Sequence, residues 1–406
     1  MTTDMEQPVN RPAQPKLPSL NMQKQATRMS LFLVGYGFAV WAVLIPFIKL
    51  RTGLDEGGLG LLLLFIGIGS VGTMPITGGL VSKYSCRAVV MAAACVFCLA
   101  LPLVGWLDSL PGLALSIFFI GGTMGAIEVA ANIQGVYVQR NAGRALMSNF
   151  HAFYSVGSIV GAGFMTLCLS SGLTPFQTSL AAIAPVLLAL LCFGPGLLGH
   201  IVSRSNQKTK FFAVPRGIVA GLGFLLMIMY ICEGSVGNWG ALLLAGFKGF
   251  NPQQAALGFA VFSVTIAIGR LLGDKITVLL GGSARTIIIA SLATAFFYFV
   301  TVQLLPAKSV LVGYAFLGVA MAPLAPCVFT LAGKQSVMST ELAISAVTAF
   351  GYASALFSSP IIGMVARYTS LPTSLSLLSL LLLLVALGTF LLYRKPRSGG
   401  SASGNF

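Results

Sequence analysis

Charge is what this chain most lacks. Only 8% of its 406 residues are Asp, Glu, Lys or Arg, whereas a soluble globular domain carries about 25%. Acids are scarcer still, nine against 24 Lys and Arg, with two histidines. So little charge beside 56% hydrophobic residues excludes a soluble domain, and the formal +15 has no basic soluble surface on which to bind nucleic acid. Also missing are a Gly-rich phosphate loop, zinc-ligand spacings and the Ser-centred elbow of hydrolases. An enzyme, a metal site and a cofactor are therefore not expected. Seven cysteines are present, but the one C-x-x-C, Cys95 and Cys98, lies in an apolar run without partnering His or Cys. These two read as small buried hydrophobes.

What the chain has is hydrophobic length. Twelve apolar stretches, each long enough to cross ~30 Å of hydrocarbon as helix, run over 30–50, 58–82, 88–106, 110–138, 147–170, 177–199, 216–244, 253–273, 285–304, 309–332, 341–366 and 373–393. They are continuous and rich in Leu and Gly, unlike the ~10-residue alternating segments of a membrane β-barrel. The fold class is an all-α polytopic membrane protein with 12 transmembrane helices. Residues 1–25, with four prolines and no apolar run, read as a disordered tail. Residues 26–199 and 216–393 read as two six-helix bundles, 200–215 as a linker and 394–406 as a second tail.

Cytoplasmic loops retain Lys and Arg during insertion. Assigning loops alternately to the two faces puts 19 bases on the face shared by the termini and five (Lys49, Arg51, Lys248, Lys308, Arg367) on the other. Both tails and the linker are then cytoplasmic.

The two bundles repeat one another. Phe119, Gly121 and Met124 in the fourth run match Phe316, Gly318 and Met321 in the tenth, and Ser148, Ala152 and Phe153 match Ser345, Ala349 and Phe350, all at an offset of 197 residues. Two parallel six-helix repeats with a site between them near the midplane are the plan of one large class of secondary transporters. The turn Gly269-Arg270-Leu271-Leu272-Gly273-Asp274-Lys275, followed by Arg285, resembles the signature loop of the major facilitator superfamily. That resemblance implies a conformational latch in which Asp274 pairs with Arg270, Lys275 and Arg285. In the first half Lys83 and Arg87 keep the bases, but Ser82 stands where the family usually has aspartate. The blocks Glu128–Gly163 and Cys232–Leu243 are similar to the YbjJ-like bacterial branch of inner-membrane permeases, distantly related to fucose permeases, which implies a bacterial inner-membrane location.

Seven of the nine acids lie in tails, loops or run ends, leaving Glu128 and Glu233 inside the hydrocarbon, where a charge costs ~2.5–3.5 kcal/mol on insertion scales. Gly121, Gly125, Glu128 and Asn132 form one helical stripe, read as a cavity wall. His151 begins another with Tyr154, Ser155 and Ser158. Histidine changes charge near neutral pH, so Glu128 and His151 are the candidate proton-coupling pair, although either could simply bond a neighbouring helix. Glu233 shares a face with Tyr230, followed by Asn238 and Trp239. Counting along the runs places it ~10 Å or more from Glu128 in depth, so the two acids are not expected to meet. Tyr36, Trp41, Thr348 (the repeat equivalent of His151) and Tyr352 complete the expected cavity. With no Lys or Arg inside any apolar run, strong anions lack a clamp, and the expected cargo is a small neutral or cationic solute.

These features point to a secondary transporter, monomeric in the bilayer, that exchanges a small molecule and protons by alternating access. A sugar-type symporter or uniporter is the alternative, and a non-transporting sensor lacks room for a regulatory domain. A topology reporter fused after Arg397, and another inserted near Lys208, should both register as cytoplasmic; periplasmic activity at either site would remove the orientation.

Overall fold

The computed structural model describes residues 17–54, 56–199, 214–255 and 257–393. Residues 200–213 of the expected linker, 394–406 and most of the expected N-terminal tail lie outside these ranges. The described residues form twelve helices long and apolar enough to cross a membrane, with no strand among them. They are α1 (Leu20–Thr52), α2 (Glu56–Tyr84), α3 (Cys86–Trp106), α4 (Leu110–Ala142), α5 (Met147–Ser170), α6 (Pro175–Gly196), α7 (Ile218–Phe247), α8 (Leu257–Leu279), α9 (Ser283–Leu304), α10 (Ala307–Lys334), α11 (Thr340–Tyr368) and α12 (Leu371–Tyr393). An even number of spans puts the start of α1 and the end of α12 on one face, here termed the terminal face.

Helix ends follow capping chemistry, and this is where the apolar runs mislead. α1 begins at Leu20, not beyond residue 25, because Ser19 caps it by accepting from Met22 N at 3.4 Å. Its polar first turns are buried against α4, where Gln134 Nε2 donates to Thr27 Oγ1 at 3.1 Å. α8 likewise runs two turns past its apolar stretch to Leu279. α10 is broken: the helix stops at Met321 and resumes at Leu324, as Pro323 and Pro326 require.

Within the first half α1 packs on α5, α2 on α4 and α3 on α6; in the second, α7 packs on α11, α8 on α10 and α9 on α12. Each pairing thus recurs six helices later. The repeat extends to single side chains. Arg51, at the end of α1, donates to the Val104 and Gly105 carbonyls at the end of α3, both at 2.7 Å. Its counterpart at the 197-residue offset, Lys248, donates to Leu305 O beside the end of α9 at 2.8 Å. These two bases satisfy carbonyls that a helix C-terminus leaves unpaired, which explains cations on the otherwise base-poor face. The halves meet along α2–α11 and α5–α8.

Glycine decides how closely α2 and α4 approach. A Cβ on Gly121 would overlap the Ile66 backbone, and one on Gly125 would press on Met74. Ser70 Oγ donates to Gly121 O at 2.9 Å across the same seam. The glycines of the α4 stripe therefore face α2, and only its acidic end reaches the space between the halves.

Candidate functional site

A cavity of about 260 Å³ lies between the halves. Glu128, His151 and Tyr154 line it from the first half; Tyr230, Glu233, Asn238, Arg270, Tyr352, Ser354 and Ser358 line it from the second. Seven of the residues expected to carry coupling or cavity roles are thus brought together: Glu128, His151, Tyr154, Tyr230, Glu233, Asn238 and Tyr352.

Glu128, only 3% exposed, accepts a hydrogen bond from the Tyr352 hydroxyl of α11, so the acid of one half is held by the other. Tyr352 in turn meets Tyr230 edge to face, with centroids 5.9 Å apart at 82°, and stacks on Phe38 of α1 at 6.5 Å. His151 Nε2 lies 3.0 Å from Asn132 Oδ1, and its ring stacks on Phe329 of α10 at 5.4 Å and 15°. With the amide in that orientation the imidazole is the donor, and Asn132 Nδ2 has no partner among the described residues.

Arg270 overturns two expectations. It is not a loop residue of a latch but lies near the middle of α8, 6% exposed, with its guanidinium at the cavity. Nη2 pairs with Glu233 at 2.9 Å and Nη1 donates to Ser155 Oγ of α5 at 3.3 Å, while Nε is buried without a partner among the described residues. A cation does sit inside a span, and the argument that denied strong anions a clamp loses its premise. Nor are Glu128 and Glu233 separated in depth. Both line one cavity, because α4 and α7 extend beyond their apolar runs and bring both acids close to mid-helix.

Six expected cavity residues are placed elsewhere. Asn132 stands behind His151, and Ser155 behind Arg270. Ser158 Oγ bonds Gly35 O and Tyr154 O in the α1–α5 seam. Tyr36 is fully buried and donates to Ala182 O at 3.1 Å, and Trp41 is buried in the same bundle core. Thr348 turns back to Ile344 O at 2.7 Å. A seventh, Trp239, packs its ring beside Gly363 and is absent from the cavity wall. A helical stripe specifies which residues share a face but not which neighbour that face meets.

The expected latch also differs. Asp274 accepts from Ser148 N at 3.0 Å and Asn149 N at 2.9 Å, the first turn of α5 in the other half. Free backbone N–H groups and the positive end of the helix dipole replace the cationic side chains expected there. Lys275 and Arg285 are exposed, Lys83 lies over the Tyr84 ring at 5.0 Å, and Arg87 donates to Pro195 O. Gly273 packs on Ser148 as Gly78 packs on Ser345. That equivalence sets Gly79, and not Ser82, opposite Asp274.

Twelve spanning helices in two repeated bundles around a buried ionisable cavity define a secondary-transporter architecture. The chain is 39% identical over 364 residues to an uncharacterised MFS-type transporter of Yersinia pestis, covering 90% of this chain and 94% of that protein. It belongs to the major facilitator superfamily, whose members carry solutes across membranes and are not enzymes. It is also 26% identical over 384 residues to membrane protein MosC of Rhizobium meliloti, covering 94% and 93% of the two chains. No family model matches the chain. Among solved structures, FucP in the outward conformation shares the fold with a TM-score of 0.76 at 16% identity, covering 93% of this chain and all of that one. The proton:xylose symporter XylE does so with a TM-score of 0.72 at 15% identity, covering 91% and 94%.

Removing one partner of the cavity ion pair should strand the other. Arg270→Met is expected to lower stability by ~1.5–3 kcal/mol, the range for a hydrogen bond to a charged group. Adding Glu233→Gln should recover part of that loss, measured as thermal midpoints in detergent. Additive losses in the double variant would show that the two side chains do not interact.

Proposed function

We propose that this protein is a proton-coupled transporter of a small, neutral, polar solute, working as a monomer by alternating access, with the basic terminal face in the cytoplasm. One observation carries the coupling: a buried carboxylate, Glu128, sits on the wall of the inter-half cavity and is held by a hydroxyl from the opposite half. Closing the halves around an ionised Glu128 would bury an uncompensated charge at a cost of several kcal/mol. Closing them around the protonated acid buries none. Proton binding is thereby linked to occlusion, and rocking exposes the acid to each side in turn.

The charge inventory favours a neutral cargo. Arg270 compensates Glu233, so a protonated Glu128 leaves the cavity without net charge when His151 is neutral. A cationic cargo would face the Arg270 guanidinium. Tyr154, Tyr230 and Tyr352 offer hydroxyls and ring faces, and Asn238 offers an amide, a set suited to a hydroxyl-bearing molecule. The fucose:proton symporter FucP and the proton:xylose symporter XylE, which share this fold, support the same class.

The test is uptake into liposomes by the purified protein, with a panel of radiolabelled monosaccharides and polyols and an imposed pH gradient. Glu128→Gln keeps the shape of the protonated acid, so it should retain solute exchange and lose pH-driven accumulation. His151→Gln should weaken accumulation less, since His151 lines the cavity but turns its Nε2 away to Asn132. Accumulation by Glu128→Gln with an unchanged pH profile would end the assignment.

A further inference from the structure

A second buried acid, Glu341, lies outside the cavity and has no part in the coupling described above. It occupies the first turn of α11 and is 1% exposed. Oε1 accepts from the Tyr137 hydroxyl of α4 at 2.5 Å, while Oε2 is buried without a partner among the described residues. Around this bond, Arg140 Nη2 donates to Thr340 Oγ1 at 3.3 Å, and its guanidinium lies over the Tyr137 ring at 5.7 Å. Gly78 of α2 lets the Glu341 backbone approach, and Gly78 N donates to Ser345 Oγ at 3.1 Å. Apart from the Arg140–Tyr137 stacking within α4, these contacts join the first half to the second. Tyr137 stands nine residues beyond Glu128 toward the terminal face, roughly 13 Å at 1.5 Å per residue.

The two repeat-related seams solve the same problem differently. At α5–α8, an acid of one half, Asp274, serves the helix start of the other. At α2–α11 the position opposite Asp274 is glycine, and the helix start carries its own acceptor, Ser339, with Glu341 in its first turn. The inter-half bond at this second seam is then the one from Tyr137.

We infer that Tyr137 and Glu341 form a second gate on the terminal face, a hydrogen bond that holds this face shut and stands in for the acid missing from the first-half loop. The half-satisfied carboxylate makes the gate releasable. While the face is shut, Tyr137 supplies the only side-chain hydrogen bond to Glu341 seen among the described residues, and when it opens, water reaches both carboxylate oxygens. Deleting the Tyr137 hydroxyl strands a buried charge in the shut state only. Neutralising Glu341 removes that charge, so the two substitutions have opposite consequences.

The experiment measures spin-label distances between the halves in full-length protein, without cargo or pH gradient, so its outcome is independent of whether the coupling assignment holds. Labels go on Asn141, at the end of α4, and Val337, before α11, both exposed, with Cys95, Cys98, Cys168 and Cys192 replaced by serine. Tyr137→Phe should raise the ratio of long to short distances by ~10–100-fold, the range for stranding a buried charged acceptor. Tyr137→Phe with Glu341→Gln should return it toward the parent value, and Glu341→Gln alone should not open the face. An unchanged distribution in Tyr137→Phe overturns the gate. So does an opening that Glu341→Gln fails to reverse, which would mean Tyr137 acts through packing. Should Tyr137→Phe fail to fold, Glu341→Gln alone decides: a parent-like or more closed distribution supports the gate, and an opened one refutes it.

Discussion

An ionised group in hydrocarbon must find a partner or give up its charge, and the architecture of this protein is organised around that constraint. Arg270 is tolerable in the middle of α8 because Glu233 neutralises it and Ser155 of the other half takes a second donor. Glu128 is tolerable because Tyr352 hydrogen-bonds it from across the cavity. Each partner of these in-membrane charges is itself in or beside the cavity, so the electrostatic balance would change with any movement of the halves. A single chain with nine carboxylates and 24 bases places two acids and one base at that point. A neutral occluded state then requires one proton when His151 is uncharged.

The same logic recurs at the terminal face with different chemistry. Helix starts carry unpaired N–H groups that need acceptors, and both inter-half seams bring a helix start against the opposite bundle. One seam uses Asp274 for this purpose. The repeat that makes the halves alike does not make their seams alike, because Gly79 stands where the second Asp274 would be. Arg51 and Lys248 show the opposite case, in which the duplicated position keeps both its charge and its task.

Much of this was legible in the sequence, for identifiable reasons. Hydrophobic length marks spans reliably, and the 197-residue offset exposes the repeat because packing positions such as Gly121 and Gly318 tolerate little change. Glu128 and Glu233 stood out because acids are rare in apolar runs. Arg270 did not, since the polar cluster with Asp274 and Lys275 looked like a loop. The stripe Ile266, Arg270, Gly273 and Thr277, buried along one face of α8, was the signal that the helix continues. Tyr36, Trp41 and Thr348 were misplaced because residue type does not say whether a face meets a cavity or another helix. Phe329 and Tyr137 act across the halves, and no local pattern could have found them.

We propose that Glu128 carries the proton that moves with the solute. Proton flux can be read directly, as solute-induced pH change outside lightly buffered liposomes containing the protein, with solute binding measured in parallel. Solute addition should draw protons in with the wild-type chain, and Glu128→Gln should bind the solute but move no protons. Undiminished solute-driven proton movement through Glu128→Gln would contradict it.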